Sequence, residues 1–220
     1  MKHLFTSQHL RLFSSTATPI KDKHFSKPPI ATPPSSLNLA STLAQDELIL
    51  VVDDQDQPQR SASRLEMRQN NLWHRSTSIF TINEEQKFIV QKRSMNKDYC
   101  PGFIDLAAGG VVAFQDTDID LSAARELEEE LGITAPNPQY LFKFKYEDAN
   151  TRCWNYVYYQ IWLGKVIPQE SEIEALFYWD EGKIREMIER GAKIAPDVVQ
   201  AYQLFLPRWH GVVRGLGKKK

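Results

Sequence analysis

Cysteine is scarce in this 220-residue chain, which carries only Cys100 and Cys153. Two thiols are too few for a disulfide framework, and they lack the spacing of a zinc site, so both are expected as free thiols in a reducing compartment. No apolar run reaches the ~18 to 20 residues that span a bilayer, and a soluble protein without a membrane partner is expected. Neither sign of charge is in excess: 27 basic residues against 28 acidic ones leave a formal net charge of -1. That balance removes any global electrostatic case for nucleic acid or an acidic membrane surface. No internal repeat is visible. At 42% hydrophobic and 25% charged, the composition suits one globular core with tails.

Acids are almost missing from residues 1–45, where Asp22 stands alone against Lys2, Arg11, Lys21, Lys23 and Lys27. Serine-rich, Arg-bearing and acid-poor composition is that of an organelle transit peptide. Arg11-Leu12-Phe13-Ser14-Ser15 resembles a mitochondrial processing site, so a mitochondrial address is expected; the alternative is an extension with no address in a cytoplasmic protein. Pro28-Pro29 and Pro33-Pro34 read as linker. The organisation expected is a leader over 1–45, one domain over 46–209 and a basic tail over 210–220.

Within the domain, Leu48 to Val52 reads as a strand and Arg60 to Asn71 as a helix. Ser76 to Ile82 and Lys87 to Lys92 read as a hairpin around Asn83-Glu84-Glu85. Tyr140 to Tyr146, Cys153 to Leu163 and Ala175 to Trp179 read as further strands. Glu181 to Arg190 reads as a helix, and Pro196 opens a closing helix expected to stop at Pro207. Strands and helices mix without regular βαβ alternation, which predicts an α/β fold with a mixed sheet flanked by helices.

The densest chemistry lies in Arg125-Glu126-Leu127-Glu128-Glu129-Glu130-Leu131-Gly132-Ile133. At about 100° per residue, Ala124, Leu127 and Leu131 share an apolar stripe with Leu121 at its edge, and Glu126, Glu129 and Glu130 cluster opposite. Three close carboxylates repel one another, and divalent cations relieve that repulsion; oxygen donors suit Mg²⁺ or Mn²⁺. Upstream, Gly109-Gly110 allow close backbone approach. Asp116, Asp118 and Asp120 are candidate helix caps, with Asp120 the expected one.

Gly109-Gly110-Val111-Val112, a loop, and then Arg125-Glu126-Leu127-x-Glu129-Glu130-x-Gly132-Ile133 resemble the Nudix box of the diphosphate hydrolases. The second half matches at every defined position. In the first half the loop is one residue longer and Asp116 is the candidate for the family's Glu. Segments including Arg64 to Arg68, Leu72 to Arg75, Val90 to Arg93, Lys97 to Gly102 and Asp105 to Gly110 resemble the isopentenyl-diphosphate-isomerase-like branch of bacterial-type members.

The resemblance implies an α/β/α sandwich and Mg²⁺- or Mn²⁺-dependent cleavage of a nucleoside diphosphate derivative or other organic diphosphate. It implies metal binding by Glu126, Glu129, Glu130 and Gly110, with Arg125 orienting a carboxylate. One glutamate of this cluster or of a later loop serves as base, and Glu172 is the choice from a later loop, ahead of Glu147-Asp148. Arg75, Lys92 and Arg93 are candidates for the substrate phosphates, a strand end aiming one of the last two at the site. A small-molecule substrate is implied, and a homodimer is compatible with it. A rival reading is a nucleotide-binding module disabled at the box. Another is the isomerase itself, against which Phe103 to Gly110 lacks the Cys and His that such chemistry uses.

Overall fold

A computed structural model describes residues 46–217. The leader with its expected mitochondrial address, and the basic end at 218–220, lie outside the described residues.

The elements are β1 (Leu48–Val52), β2 (Pro58–Ser63), α1 (Arg64–Gln69), β3 (Trp73–Ile82), β4 (Phe88–Arg93), β5 (Ile104–Asp105), α2 (Ile119–Leu131), β6 (Gln139–Glu147), β7 (Arg152–Ile161), β8 (Ile173–Trp179), α3 (Glu181–Glu189) and α4 (Pro196–Gly217). They build one eight-stranded mixed sheet around β3. Along one edge β3 pairs with β7 in parallel over its whole length, from Trp73↔Arg152 to Ile82↔Ile161. Along the other edge its partners change. It meets β1 at Val51↔His74 and β4 only at Ile82↔Phe88. Between these points the strands splay, and residues 104–113 cross the gap: Ile104 and Asp105 pair with β4, then Ala108 and Val111 bridge to Ile79 and Ser76. The expected hairpin therefore exists but opens immediately, and this opening creates the cleft.

Alternation along β3 divides the protein into layers. Phe80 and Ile82 face a core shared with Ile184 of α3 and with Val198, Ala201, Tyr202 and Phe205 of α4, whereas Ile79 faces a core shared with Ala123, Leu127 and Leu131 of α2. Helices thus cover both faces of the sheet, the α/β/α arrangement expected.

Four expectations change. Residues 60–63 belong to β2, paired antiparallel with β1, and the helix starts only at Arg64, capped by Ser63 Oγ accepting from Glu66 N–H. The closing helix continues through Pro207 to Gly217, so the expected tail is helical up to that residue. A proline inside a helix removes one backbone donor, but the next turn seats Trp209 against Phe205 (centroids 5.9 Å) and Tyr159 (5.3 Å), and this packing outweighs the loss. In α2 the buried stripe is Ala123, Leu127 and Leu131, with Leu121 exposed. Asp118, rather than Asp120, caps the helix by accepting from Asp120 N–H at 2.9 Å, while Asp120 accepts from Tyr158 Oη. Ala123, Leu127 and Leu131 follow one another at four-residue spacing against Ile79, and Ala124 at the edge of that stripe is only half-buried.

Candidate active site

A cleft of about 900 Å³ occupies the opening between β3 and β4. Glu126, Glu129 and Arg125 of α2 line it, together with Gly109 and Gly110 of the crossing segment, Arg93 at the end of β4, Lys97 of the following loop and Glu172 before β8. The helix is held in register at both ends: Asp118 caps the start, and Gly132 at φ 61° stops it with its N–H donating to the carbonyls of Glu128 and Leu127. Left-handed φ at this stop suits glycine.

Glu126 lies directly against Gly110. A Cβ built on Gly110 would lie 2.5 Å from its Oε2, so glycine is what admits this carboxylate. Burial, reinforced by the neighbouring charge of Glu130, pushes its pKa up to about 8. Arg125 is its nearest cation, at 3.3 Å. The same guanidinium reaches Glu129 at 3.2 Å and Asp116 at 2.8 Å, so Asp116 contacts Arg125 and stays off the cleft wall.

Glu130, expected beside Glu126 and Glu129 as a metal ligand opposite the apolar stripe, is instead turned inward. It is 1% exposed, with Oε2 accepting from Gly109 N–H at 3.0 Å and from Gln91 Nε2 at 3.2 Å, and Oε1 accepting from Lys97 Nζ at 3.1 Å. Helical geometry alone would send it to water; the polar partners below the sheet opening turn it inward. Lys97 also binds Glu172. Burial opposes the charge on Lys97, yet the two glutamates outweigh it and raise the ammonium pKa. Glu172 therefore does reach the cleft. Glu147 pairs with Arg152, and Asp148 accepts the N–H groups of Asn150 and Thr151 in the β6–β7 turn.

Of the three basic candidates, the structure brings Arg93 alone to the cleft. It pairs with Asp105 at 2.8 Å and donates to the Tyr99 carbonyl. Lys92 pairs with Glu174 at 2.6 Å, and Arg75 with Asp56 at 2.7 Å, both off the cleft wall. Sequence reasoning gave no role to three cations that do line it, Lys97, Arg64 and Arg68. Asp98 ties the last two together, at 2.8 Å and 3.0 Å, and Arg68 lies over the Tyr99 ring. Burial opposes ionisation of Asp98, but the two guanidiniums outweigh it and hold the carboxyl well below the usual range. Their signal was present in the Arg64 to Arg68 and Lys97 to Gly102 segments, although nothing local joins residues 30 apart.

Hard carboxylate oxygens lining a cleft suit a divalent cation in chemistry. Among the described residues, no three metal-ligating side chains converge on one point. Of the three helix glutamates, Glu126 and Glu129 are the ones available to such an ion, since Glu130 is engaged by Gly109, Gln91 and Lys97. The Gly110 carbonyl, also expected as a ligand, accepts from Thr77 N–H at 2.9 Å.

Known proteins agree with this architecture. The NUDIX domain family model matches residues 72–202. The chain is 38% identical over 170 residues to the Nudix hydrolase PA4841 of Pseudomonas aeruginosa, covering 76% of this chain and 99% of that protein. It is 33% identical over 166 residues to the Nudix hydrolase YfcD of Escherichia coli K12, covering 76% and 90%. Among solved structures, DR0079 from Deinococcus radiodurans superposes with a TM-score of 0.60 at 20% identity, over 71% of this chain and 98% of that one. The NUDIX domain of Shewanella oneidensis NrtR, complexed with ADP ribose, superposes with a TM-score of 0.52 at 15% identity, over 67% and 99%. The chain belongs to the Nudix family, whose enzymes hydrolyse pyrophosphate bonds and generally use a divalent metal.

Proposed function

We propose that the protein is a Mg²⁺- or Mn²⁺-dependent hydrolase that cleaves the diphosphate linkage of a nucleoside diphosphate derivative or a related organic diphosphate. The observation that carries this reading is one cleft lined by the acids Glu126 and Glu129 together with the bases Arg93 and Lys97. A diphosphate in such a cleft would meet the bases directly, and a divalent ion held by the acids would offset its remaining charge. Binding of ADP ribose by the NrtR domain supports a nucleotide substrate of this general size.

When bound, the divalent ion neutralises phosphate oxygens so that water can approach phosphorus. Glu126 and Glu129 would hold it. Arg125, fixed by Asp116, keeps Glu129 in place, a supporting task of the kind that tunes metal affinity. Arg93 is set rigidly by Asp105 and the Tyr99 carbonyl, and so offers its remaining N–H groups in one direction. Glu172 uses Oε2 for Lys97, and no described hydrogen bond engages Oε1, leaving that oxygen to take the proton of the attacking water.

The test is turnover of a diphosphate panel by the purified chain with Mg²⁺, with Mn²⁺ and with EDTA. Release of two phosphate-bearing products with either metal and none with EDTA is expected. Activity insensitive to EDTA sinks the reading. The acid-poor leader adds the proposal of a mitochondrial address, tested by importing residues 1–45 fused to a reporter.

A further inference from the structure

On the α4 side of the sheet, β3 and β7 change character along their length. Beyond the middle their side chains are apolar, Phe80 and Ile82 beside Val157, and enter the core. Before it, His74, Ser76 and Ser78 of β3 lie on this same face with Cys153 and Asn155 of β7, in the parallel register His74↔Cys153, Ser76↔Asn155 and Ser78↔Val157. All five polar or sulfur-bearing side chains line the cleft. A sheet face that buries hydrocarbon at one end and a patch of hydrogen-bonding groups at the other demands a reason, because buried polar groups are costly without partners.

The partners are incomplete. Asn155 is 1% exposed; its Nδ2 donates to Ser78 Oγ at 2.9 Å, while Oδ1 has no hydrogen bond. Ser76 Oγ is likewise buried, with only the weak hydrogen-bonding thiol of Cys153 beside it. His74 lies 2.9 Å from the Leu72 carbonyl through Nδ1, so that nitrogen carries the proton and Nε2 is left as an acceptor. Burial, with the charge of Arg68, pushes its pKa down to about 3 and keeps the ring neutral. The opposite wall is polar too, with Asp197 and Tyr99 in contact at 3.3 Å. Among the described residues, Tyr99 is the sole Phe, Trp or Tyr of the lining, and Arg68 covers its ring. The chamber therefore offers hydrogen bonds but little surface for stacking a flat ring or burying a hydrocarbon chain.

We propose that this chamber is the recognition subsite for a hydroxyl-bearing, sugar-type group attached to the diphosphate, and that Asn155, assisted by Ser76, determines that specificity. The inference rests on the diphosphate-hydrolase reading above and narrows its substrate class. Hydroxyl groups both donate and accept, so they satisfy the free amide oxygen of Asn155, the Ser76 hydroxyl and His74 Nε2 together. A prenyl chain in the same place would strand all three.

The experiment compares ADP-ribose, UDP-glucose, dimethylallyl diphosphate and inorganic pyrophosphate, by steady-state turnover with Mg²⁺ or Mn²⁺ and by calorimetric binding. Wild type is expected to favour at least one sugar-bearing diphosphate over dimethylallyl diphosphate by about 100-fold or more in kcat/KM. Asn155→Val and, independently, Ser76→Ala are expected to raise KM for that substrate by about tenfold more than for pyrophosphate, with kcat for that substrate little changed. Ser76→Ala, a small deletion, serves where Asn155→Val unfolds; circular dichroism checks both. Equal use of the prenyl compound, or unchanged KM in folded variants, overturns the subsite while leaving diphosphate hydrolysis standing. Turnover of pyrophosphate alone does the same. Neither turnover nor binding of any of the four removes the hydrolase reading and the subsite together.

Discussion

The buried carboxylate of Glu130 accepts the backbone N–H of Gly109 at 3.0 Å, tying the last turn of the acidic helix to the glycine pair that crosses the sheet opening. The same residue reaches Lys97 and Gln91, so one side chain joins three segments around the cleft. Replacing Glu130 with Gln keeps an acceptor for Gly109 but removes the charge facing Lys97; replacing it with Ala strands the buried N–H as well. Chemical denaturation should show Ala costing about 1 to 3 kcal/mol more than Gln, the penalty of an unsatisfied buried donor.

The two glycines next to this contact should fail differently. A Cβ at Gly109 would sit 2.1 Å from the Thr77 carbonyl oxygen, at a φ of 144°. Backbone cannot retreat, so Gly109→Ala should lower the melting temperature sharply. At Gly110 the obstacle is the end of the Glu126 side chain, 2.5 Å away, which can swing aside. Gly110→Ala is expected to keep most of its stability and lose activity, read by thermal melts alongside turnover.

Asp116 and Arg125 form a 2.8 Å ion pair behind the acids. Asp116→Ala frees the guanidinium that orients Glu129, and the metal concentration for half-maximal turnover should rise about tenfold or more. An unchanged metal requirement would remove Asp116 from the site.

His74 makes stability pH-dependent. Its folded pKa, pushed down to about 3 by burial and by Arg68, lies below the unfolded value of about 6.5. The folded state therefore binds fewer protons between those values, and stability falls as pH drops below about 6.5. One group at full slope loses about 1.4 kcal/mol per pH unit, or about 2 kcal/mol by pH 5. His74→Asn keeps a donor for the Leu72 carbonyl and should flatten this part of the profile in urea melts at pH 7.5, 6 and 5. Asp98, depressed by Arg64 and Arg68 despite its burial, acts at lower pH: its contribution is present above about 3.9 and fades below it.

The order of strands and helices, the start of the closing helix at Pro196 and the glycine that ends α2 were legible because each has a local cause. Apolar alternation, proline geometry and the left-handed stop act within a few residues. Residues 60–63 were misread because Pro-Gln-Arg-Ser-Ala-Ser has no apolar alternation; its strand exists by pairing with β1. Glu130 was grouped with Glu126 and Glu129 opposite the apolar stripe because a helical wheel knows nothing of Lys97, 33 residues away. Arg75 carries a charge as suitable for phosphate as Arg93, but Asp56 takes it, supported by Lys143 and Tyr156. Ionic partners of this kind are chosen by tertiary approach, so adjacency in sequence could not separate Arg93 from Lys92 or Arg75.

The central claim is that Glu126 and Glu129 hold the divalent ion needed for diphosphate cleavage. The direct measurement is Mg²⁺ and Mn²⁺ titration of turnover for wild type, Glu126→Gln and Glu129→Gln, each checked for its fold. The account predicts saturable metal activation in wild type and losses of about 100-fold or more in both variants with melting temperatures preserved. Full activity in either variant, or nucleotide binding without metal and without turnover in wild type, would contradict it.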